Sequence, residues 1–281
     1  ALFAFARMSG FIPGLERWAY DQGVKMTSKT PSDKIAVIAI DEQSIANIGR
    51  WPWPREVQAK MIDQLAASKA KVIGNTVFFF EPQKDPGLAY VEKMLDLYGK
   101  AWPANQAPQP SAEVAQIGAL LAEASNALDT DARLAASMKK AGNVLVPLAF
   151  DQATYAPPQG RPDKPLPAYV ARNAIPAVSG SGGALLNGVN AFYPIEAIGA
   201  AAAGIAHLNN AVDEDGATRY EPLAINYYGQ AFPSLSVLLA AKSNAGDDRL
   251  IRLTSEGLED PSFAGGKVPF GVKALALAPD G

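Results

Sequence analysis

Residues 37 to 65 read VIAIDEQSIANIGRWPWPREVQAKMIDQL. An apolar, β-branched run from Ile35 to Ile40 ends on two acids, Asp41 and Glu42. A short polar segment follows, then Trp51-Pro52-Trp53-Pro54-Arg55, then a helical pattern. Continuous apolar runs of this length are what strands buried on both faces look like. Proline fixes φ and tryptophan is costly to expose, so two of each in alternation predict a rigid aromatic corner. Pro54 suits the first position of a helix. Val57, Met61 and Leu65, with Ile62 and Ala66, place one apolar stripe on that helix. Lys71 to Phe80 reads as a second buried strand. Strand, helix and strand in this order predict a parallel βαβ unit. Asp41 and Glu81 then both lie at the carboxyl ends of strands, the edge where open α/β sheets place their sites.

Working outward, Leu15, Trp18 and Ala19 suggest a helix over residues 12 to 26, which Pro31-Ser32-Asp33 breaks. Past Glu81-Pro82, residues 83 to 128 read as a surface insertion with helices around Tyr90 to Tyr98 and near 113 to 124. Asp129 or Thr130 caps a further helix carrying Leu134 and Met138, with Lys139 and Lys140 in its last turn and Gly142 at its end. Asn143 to Phe150 is a third buried strand, and the proline- and glycine-rich stretch 151–190 is read as loop. Pro194 opens an alanine-rich helix that stops at Gly204. Ile205 to Val212 and Ala217 to Tyr227 read as strands joined at Asp213-Glu214-Asp215-Gly216, since Asp-Gly accepts positive φ. Tyr228-Gly229 marks another turn, and Pro233 leads into a helix with Leu235, Leu238 and Leu239. The tail from 250 to 281 reads as short strands and turns. The fold class is therefore α/β: a mainly parallel central sheet with helices on both faces and an antiparallel hairpin portion.

Composition sets bounds on function. A net charge of −3 without long basic runs leaves no footprint for nucleic acid. The absence of cysteine removes disulfides, thiolate chemistry and zinc sites of the cysteine type. The single histidine, His207, rules out multi-histidine metal centres. The apolar runs are all short of the roughly 18–20 residues that span a bilayer. The N-terminal stretch ALFAFARMSGFIPGLERW reads equally well as the edge of a membrane helix or as an ordinary first helix.

Three groups are candidates for chemistry. Asp41, Glu42 and Glu81 could bind a cation or a polar ligand; Mg²⁺ or Ca²⁺ would suit an all-oxygen set. Equally, Asp41 could cap the segment Ser44 to Ile48 while Glu81 is solvated. Trp51, Trp53 and Arg55 could wall a ring or clamp an anion, or form a packing corner in which Arg55 pairs with a local acid. Asp213 to Gly216 resembles a calcium loop, but with Gly216 at the sixth position the first and twelfth ligands fall on Ala211 and Pro222. His207, in an apolar strand beside Asn209 and Asn210, reads as a satisfied structural residue, and Gly180 to Gly183 as a linker. No complete catalytic set is present in the sequence, and no cofactor is assigned.

The stretches IAVIAIDEQSIANIGRWPWPR, KVIGNTVFFFEP, DTDARLAASMKKAGNVLVPLAF, AAAGIAHLNNAVDEDGATRYEPL and YYGQAFPSLSVLLA, in this order, resemble a CHASE domain of type 2. This is the cyclase/histidine-kinase associated sensory extracellular module. The tryptophan–proline corner is the most specific of these motifs. One departure stands out: where the family usually carries an aspartate in the second strand, this chain has Thr76. The resemblance implies one extracytoplasmic sensory domain over residues 1–281, with ALALAPDG reading as an interior cut. It implies membrane helices outside this chain in the full-length receptor, on the periplasmic side of a bacterial inner membrane. The output would be a histidine kinase, a nucleotide cyclase or a Ser/Thr kinase. The stimulus, a small molecule or a protein, would be read near Asp41, Glu42, Trp51, Trp53, Arg55 and Glu81, and homodimerisation is expected. The two rival expectations are a Mg²⁺-dependent hydrolase using Asp41 and Glu81, and an assembly scaffold that senses nothing.

Overall fold

The computed structural model describes residues 11–27, 34–83, 85–103, 108–152, 165–175 and 185–244. The chain divides into two compact units, Ala1–Trp51 and Pro52–Gly281. The expected short strands of 250 to 281, the break at 31–33 and the linker at 180–183 lie outside the described residues.

The first unit holds helix α1 (Phe11–Met26) and helix α2 (Glu42–Ile48). Asp41 starts α2 through a reciprocal capping box: its Oδ1 accepts the Ser44 N–H at 2.8 Å, and the Ser44 Oγ accepts the Asp41 N–H at 2.8 Å. Between the helices the expected buried strand is not formed. Residues 35 to 40 make no ladder, and Ile35 and Val37 are 72 and 87% exposed. Strand preference describes how well a side chain fits a pleated, half-buried surface, so it is realised only where a neighbouring strand supplies that surface. The βαβ unit expected over residues 35 to 80 is accordingly absent.

The second unit carries the sheet. Its strands are β1 (Ile73–Gly74), β2 (Val144–Gln152), β3 (Leu186–Phe192), β4 (Gly204–His207), β5 (Ala211–Val212), β6 (Thr218–Tyr220), β7 (Ala224–Tyr227) and β8 (Gln230–Pro233). Its helices are α3 (Arg55–Ala67), α4 (Leu88–Ala101), α5 (Ala112–Leu128), α6 (Thr130–Ala141), α7 (Ala168–Ala171), α8 (Glu196–Ala201) and α9 (Leu235–Ser243). Strand β2 is central and lies parallel to β1 and β4 and antiparallel to β3. β3 pairs parallel with β7, which forms a hairpin with β8. A single isolated bridge from His207 to Ser234 also links the end of β4 to the residue after β8.

The period of two along β2 decides which helices cover it. Val144, Val146, Leu148 and Phe150 join Ile62 of α3, Leu134 and Met138 of α6 and Ile198 of α8 in the larger core. Leu145 joins Ala206 and α9, through Leu235, Leu238 and Leu239, in the smaller one. Helices thus cover both faces, and the sheet mixes parallel and antiparallel pairs. Helix α6 is built as its sequence dictates. Asp129 caps its start by accepting the Ala132 N–H at 3.0 Å, and Gly142 ends it at φ 69°.

Three expectations need correction here. The segment Lys71 to Phe80 is not one long strand: only Ile73 and Gly74 join the ladder. The physical cause lies in the partner. The Ile73 and Asn75 N–H groups bond to the Asn143 and Leu145 carbonyls, and the next residue of β2 on that edge is Pro147. Proline has no N–H to return, so the ladder stops there. The stretch 151–190 is not all loop. It contains α7, and it overlaps β3, whose sequence LNGVNAF hides its pairing in side chains. Asn187 and Asn226 bond across β3 and β7 at 2.8 Å, and Asn190 bonds Asp151 across β2 at 3.0 Å. Gly188 leaves room for Phe150: a Cβ there would lie about 3.1 Å from its ring, closer than such contacts usually are. The two strands expected around Asp213–Gly216 are each split in two. The hairpin itself is present as β5 and β6, with Gly216 at φ 81°. Tyr228 and Gly229 both have positive φ, the backbone of a tight hairpin turn between β7 and β8.

Candidate functional site

The six residues expected at one site fall in both units, and each unit is described by itself. In the first, Asp41 spends its carboxylate on the α2 cap. The Ser44 N–H and hydroxyl hold its pKa below the ordinary aspartate value, although the group is fully exposed. Glu42 is exposed in the first turn of α2, where a helix dipole favours an anion. Trp51 is half-buried.

In the second unit, Trp53 is buried and Arg55 opens α3. Arg55 does not project into solvent. Its Nε donates to Asp131 Oδ1 at 3.0 Å and its Nη2 to the Glu81 carbonyl at 3.0 Å. The guanidinium stands 4.6 Å from the centroid of the Phe79 ring, which is itself fully buried. The Arg55 N–H donates to Gln83 Oε1 at 2.7 Å, and the Gln83 N–H donates to Asp131 Oδ2 at 2.8 Å. Arg55, Gln83 and Asp131 therefore close a loop of bonds that ties the start of α3, the chain beyond β1 and the first turn of α6 together. The Arg55 and Asp131 side chains are only 13 and 11% exposed. Of the two readings of Arg55, this is the packing corner with a local acid. The Glu81 side chain is exposed, and only its backbone joins the network.

Sequence reasoning picked out Arg55 and Glu81 but missed Gln83 and Asp131. The available signal was Asp131 in the first turn of a helix whose cap was already legible. What was missing was that the chain beyond β1 returns to it. Thr76, which stands where the family usually has an aspartate, is exposed. Its neighbour Asn75 accepts the Val77 N–H at 2.8 Å and donates to Gln58 at 3.4 Å.

The other candidates are also placed. Asp213 and Asp215 are both bonded to Arg219, at 2.8 Å each, so the hairpin uses its acids to hold its own arginine. His207 is fully buried on β4. Its Nδ1 accepts the Asn209 N–H at 3.4 Å, and among the described residues its Nε2 has no hydrogen-bond partner. It is buried as expected but only half satisfied. Just beyond it, the Asn209 side chain bonds both the N–H and the carbonyl of Phe150, standing in for the next strand residue. A concavity of about 240 Å³ is lined by Leu166, Tyr227, Tyr228 and Gln230. It is smaller than the roughly 300–1,000 Å³ of most small-molecule sites.

Burial depresses the His207 pKa from 6.5 to about 4. Between those values the unfolded chain binds a proton that the folded chain does not. Stability is therefore complete above pH 6.5 and is lost as the pH falls from there toward 4. The shift corresponds to about 3 kcal/mol. Urea unfolding followed from pH 7 to 4 is expected to show this loss in the native chain, while His207→Leu flattens that window. An unchanged slope in the variant would show that His207 does not carry the effect.

Fold and site together define an α/β module whose buried charges close its own corner. Among the described residues, no three histidine, aspartate or glutamate side chains gather as a metal site would require. Comparison with known families then places it. The chain belongs to the CHASE2 domain family, whose model matches residues 1–276. CHASE2 is an extracellular sensory domain family of signalling proteins. No curated protein and no solved structure matches the chain.

Proposed function

We propose that this chain is the extracytoplasmic signal-input domain of a bacterial membrane-bound receptor. Its output would be a histidine kinase, a nucleotide cyclase or a Ser/Thr kinase. Family membership over residues 1–276 is the observation that carries the reading. Within the second unit, the Trp53–Arg55–Glu81 corner is the proposed receiving element. An anionic or hydrogen-bonding stimulus, small molecule or protein, would compete with Asp131 and Gln83 for Arg55. It would shift the domain by binding the form in which the Arg55–Gln83–Asp131 latch is opened better than the form in which it is closed. Asp41, Glu42 and Trp51 of the first unit are proposed as further stimulus contacts.

Membrane helices would lie outside this chain; among the described residues no helix is long and apolar enough to cross a membrane. The lack of cysteine makes the location testable. Lys100→Cys, on an exposed helix end, is expected to react with a membrane-impermeant maleimide in intact spheroplasts when carried by the full-length receptor. Labelling that needs cell lysis would remove the extracytoplasmic reading.

A further inference from the structure

Helices α4 and α5 form an antiparallel hairpin whose inner face is clear. Tyr98 packs directly on Gly118, where a Cβ would lie 2.4 Å from the ring, and Gly87 faces Leu128. At about 100° per residue, Val91, Leu95, Tyr98 and Trp102 face Val114, Gly118, Leu121 and Leu128. A second apolar stripe runs about a quarter-turn away on both helices. It comprises Tyr90, Met94 and Leu97 on α4, and Ile117 and Leu120 on α5. The helices run antiparallel, so the same rotation on each places both stripes on one side of the hairpin. These five side chains are 48 to 66% exposed. Helix α5 has only Glu113, Gln116, Glu123 and a few small polar residues among its seventeen. A helix this apolar all round is one that is covered on more than one side.

We propose that this face is where two copies of the chain meet, packing their α4–α5 hairpins into a four-helix bundle. Size supports a second copy: the stripe offers on the order of 500 Å² per copy, and two copies reach the roughly 1,000 Å² expected of a specific interface. Charge selects the orientation. The contacts of 98 with 118 and 87 with 128 put Lys93 level with Glu123, on the two outer edges of the face. A two-fold axis parallel to the helices lays α4 of one copy on α5 of the other and sets each Lys93 beside the partner's Glu123. The same axis places bulky Tyr90 over the small end of α5, at Ala124 and Ala127. This inference is independent of the stimulus and of the functional reading above.

The native chain is cysteine-free, so a two-site cross-link is decisive. Sedimentation velocity of the 281-residue chain is expected to show a concentration-dependent dimer. Oxidising the double variant Lys93→Cys/Glu123→Cys should give a covalent dimer, whereas either single variant should not. Leu97→Asp with Leu120→Asp should weaken the dimer at least about 100-fold, since four leucine side chains per dimer lose their cover. If that variant misfolds by circular dichroism, the cysteine result stands by itself. A chain that stays monomeric at every concentration overturns the proposal. So does a dimer that links through the single cysteines, or a monomer that floats with lipid vesicles. Slow hydrogen exchange over residues 88–101 in a monomer would assign the cover to the chain's own remaining segments and would also overturn it.

Discussion

Asp131→Ala is expected to cost about 4 kcal/mol in urea unfolding, because it leaves a buried guanidinium without its counter-charge. Asp131 receives two bonds at once, from Arg55 Nε at 3.0 Å and from the Gln83 N–H at 2.8 Å. Its loss therefore orphans a backbone donor as well as a charge. A surface ion pair would cost no more than about 1 kcal/mol, so the size of the effect tests whether the latch is buried in solution. The double variant Arg55→Met/Asp131→Leu should recover part of the loss, because it removes both charges and keeps the volume. If Asp131→Ala costs under about 1 kcal/mol, the corner is open to water. Arg55 would then be available to a ligand without any displacement.

The second large effect is expected at Phe232→Ala, again about 4 kcal/mol, from lost transfer energy and the cavity left behind. Phe232 is fully buried on β8, pairs with Ile225 in the ladder, and holds its ring 5.5 Å from that of Phe150. Phe150 in turn stacks on Tyr227 at 5.2 Å. These three rings belong to the larger core that the sheet forms with helices α3, α6 and α8. Phe78→Ala is the matched control: the same change at a 40% exposed position should stay within about 1 kcal/mol. Equal losses at the two positions would mean that this core is not packed as described.

Both effects arise where distant segments converge, and this is also where sequence reading was weakest. Local chemistry was legible: the Asp129 cap and the Gly142 stop of α6, the α2 cap at Asp41, and the turns at Gly216 and Gly229. Each depends on residues within a few positions of one another, so propensity and capping rules reach them. The Arg55 environment was readable only as a choice between clamp and corner, since Asp131 lies 76 residues away. Strand β3 escaped because its cross-strand amides look like loop composition. The apolar runs at 35–40 and 71–80 were read as buried strands for the opposite reason. Their residues favour a sheet, but a ladder also needs a partner with donors in register.

The linear chain determined where most of the longer helices lie, several of their caps, and that the whole is an α/β domain resembling a sensory family. These follow from contacts a turn or two apart, whose entropy cost is small. Tertiary structure alone decided how far β1 extends, which face each helix covers, and that Arg55 closes on Asp131. Those outcomes turn on pairing between residues far apart in sequence: a proline without an N–H opposite one strand, a glycine that admits a ring, a carboxylate brought to a guanidinium. No local preference contains that information, because the energy of each pairing exists only once both members have been brought together.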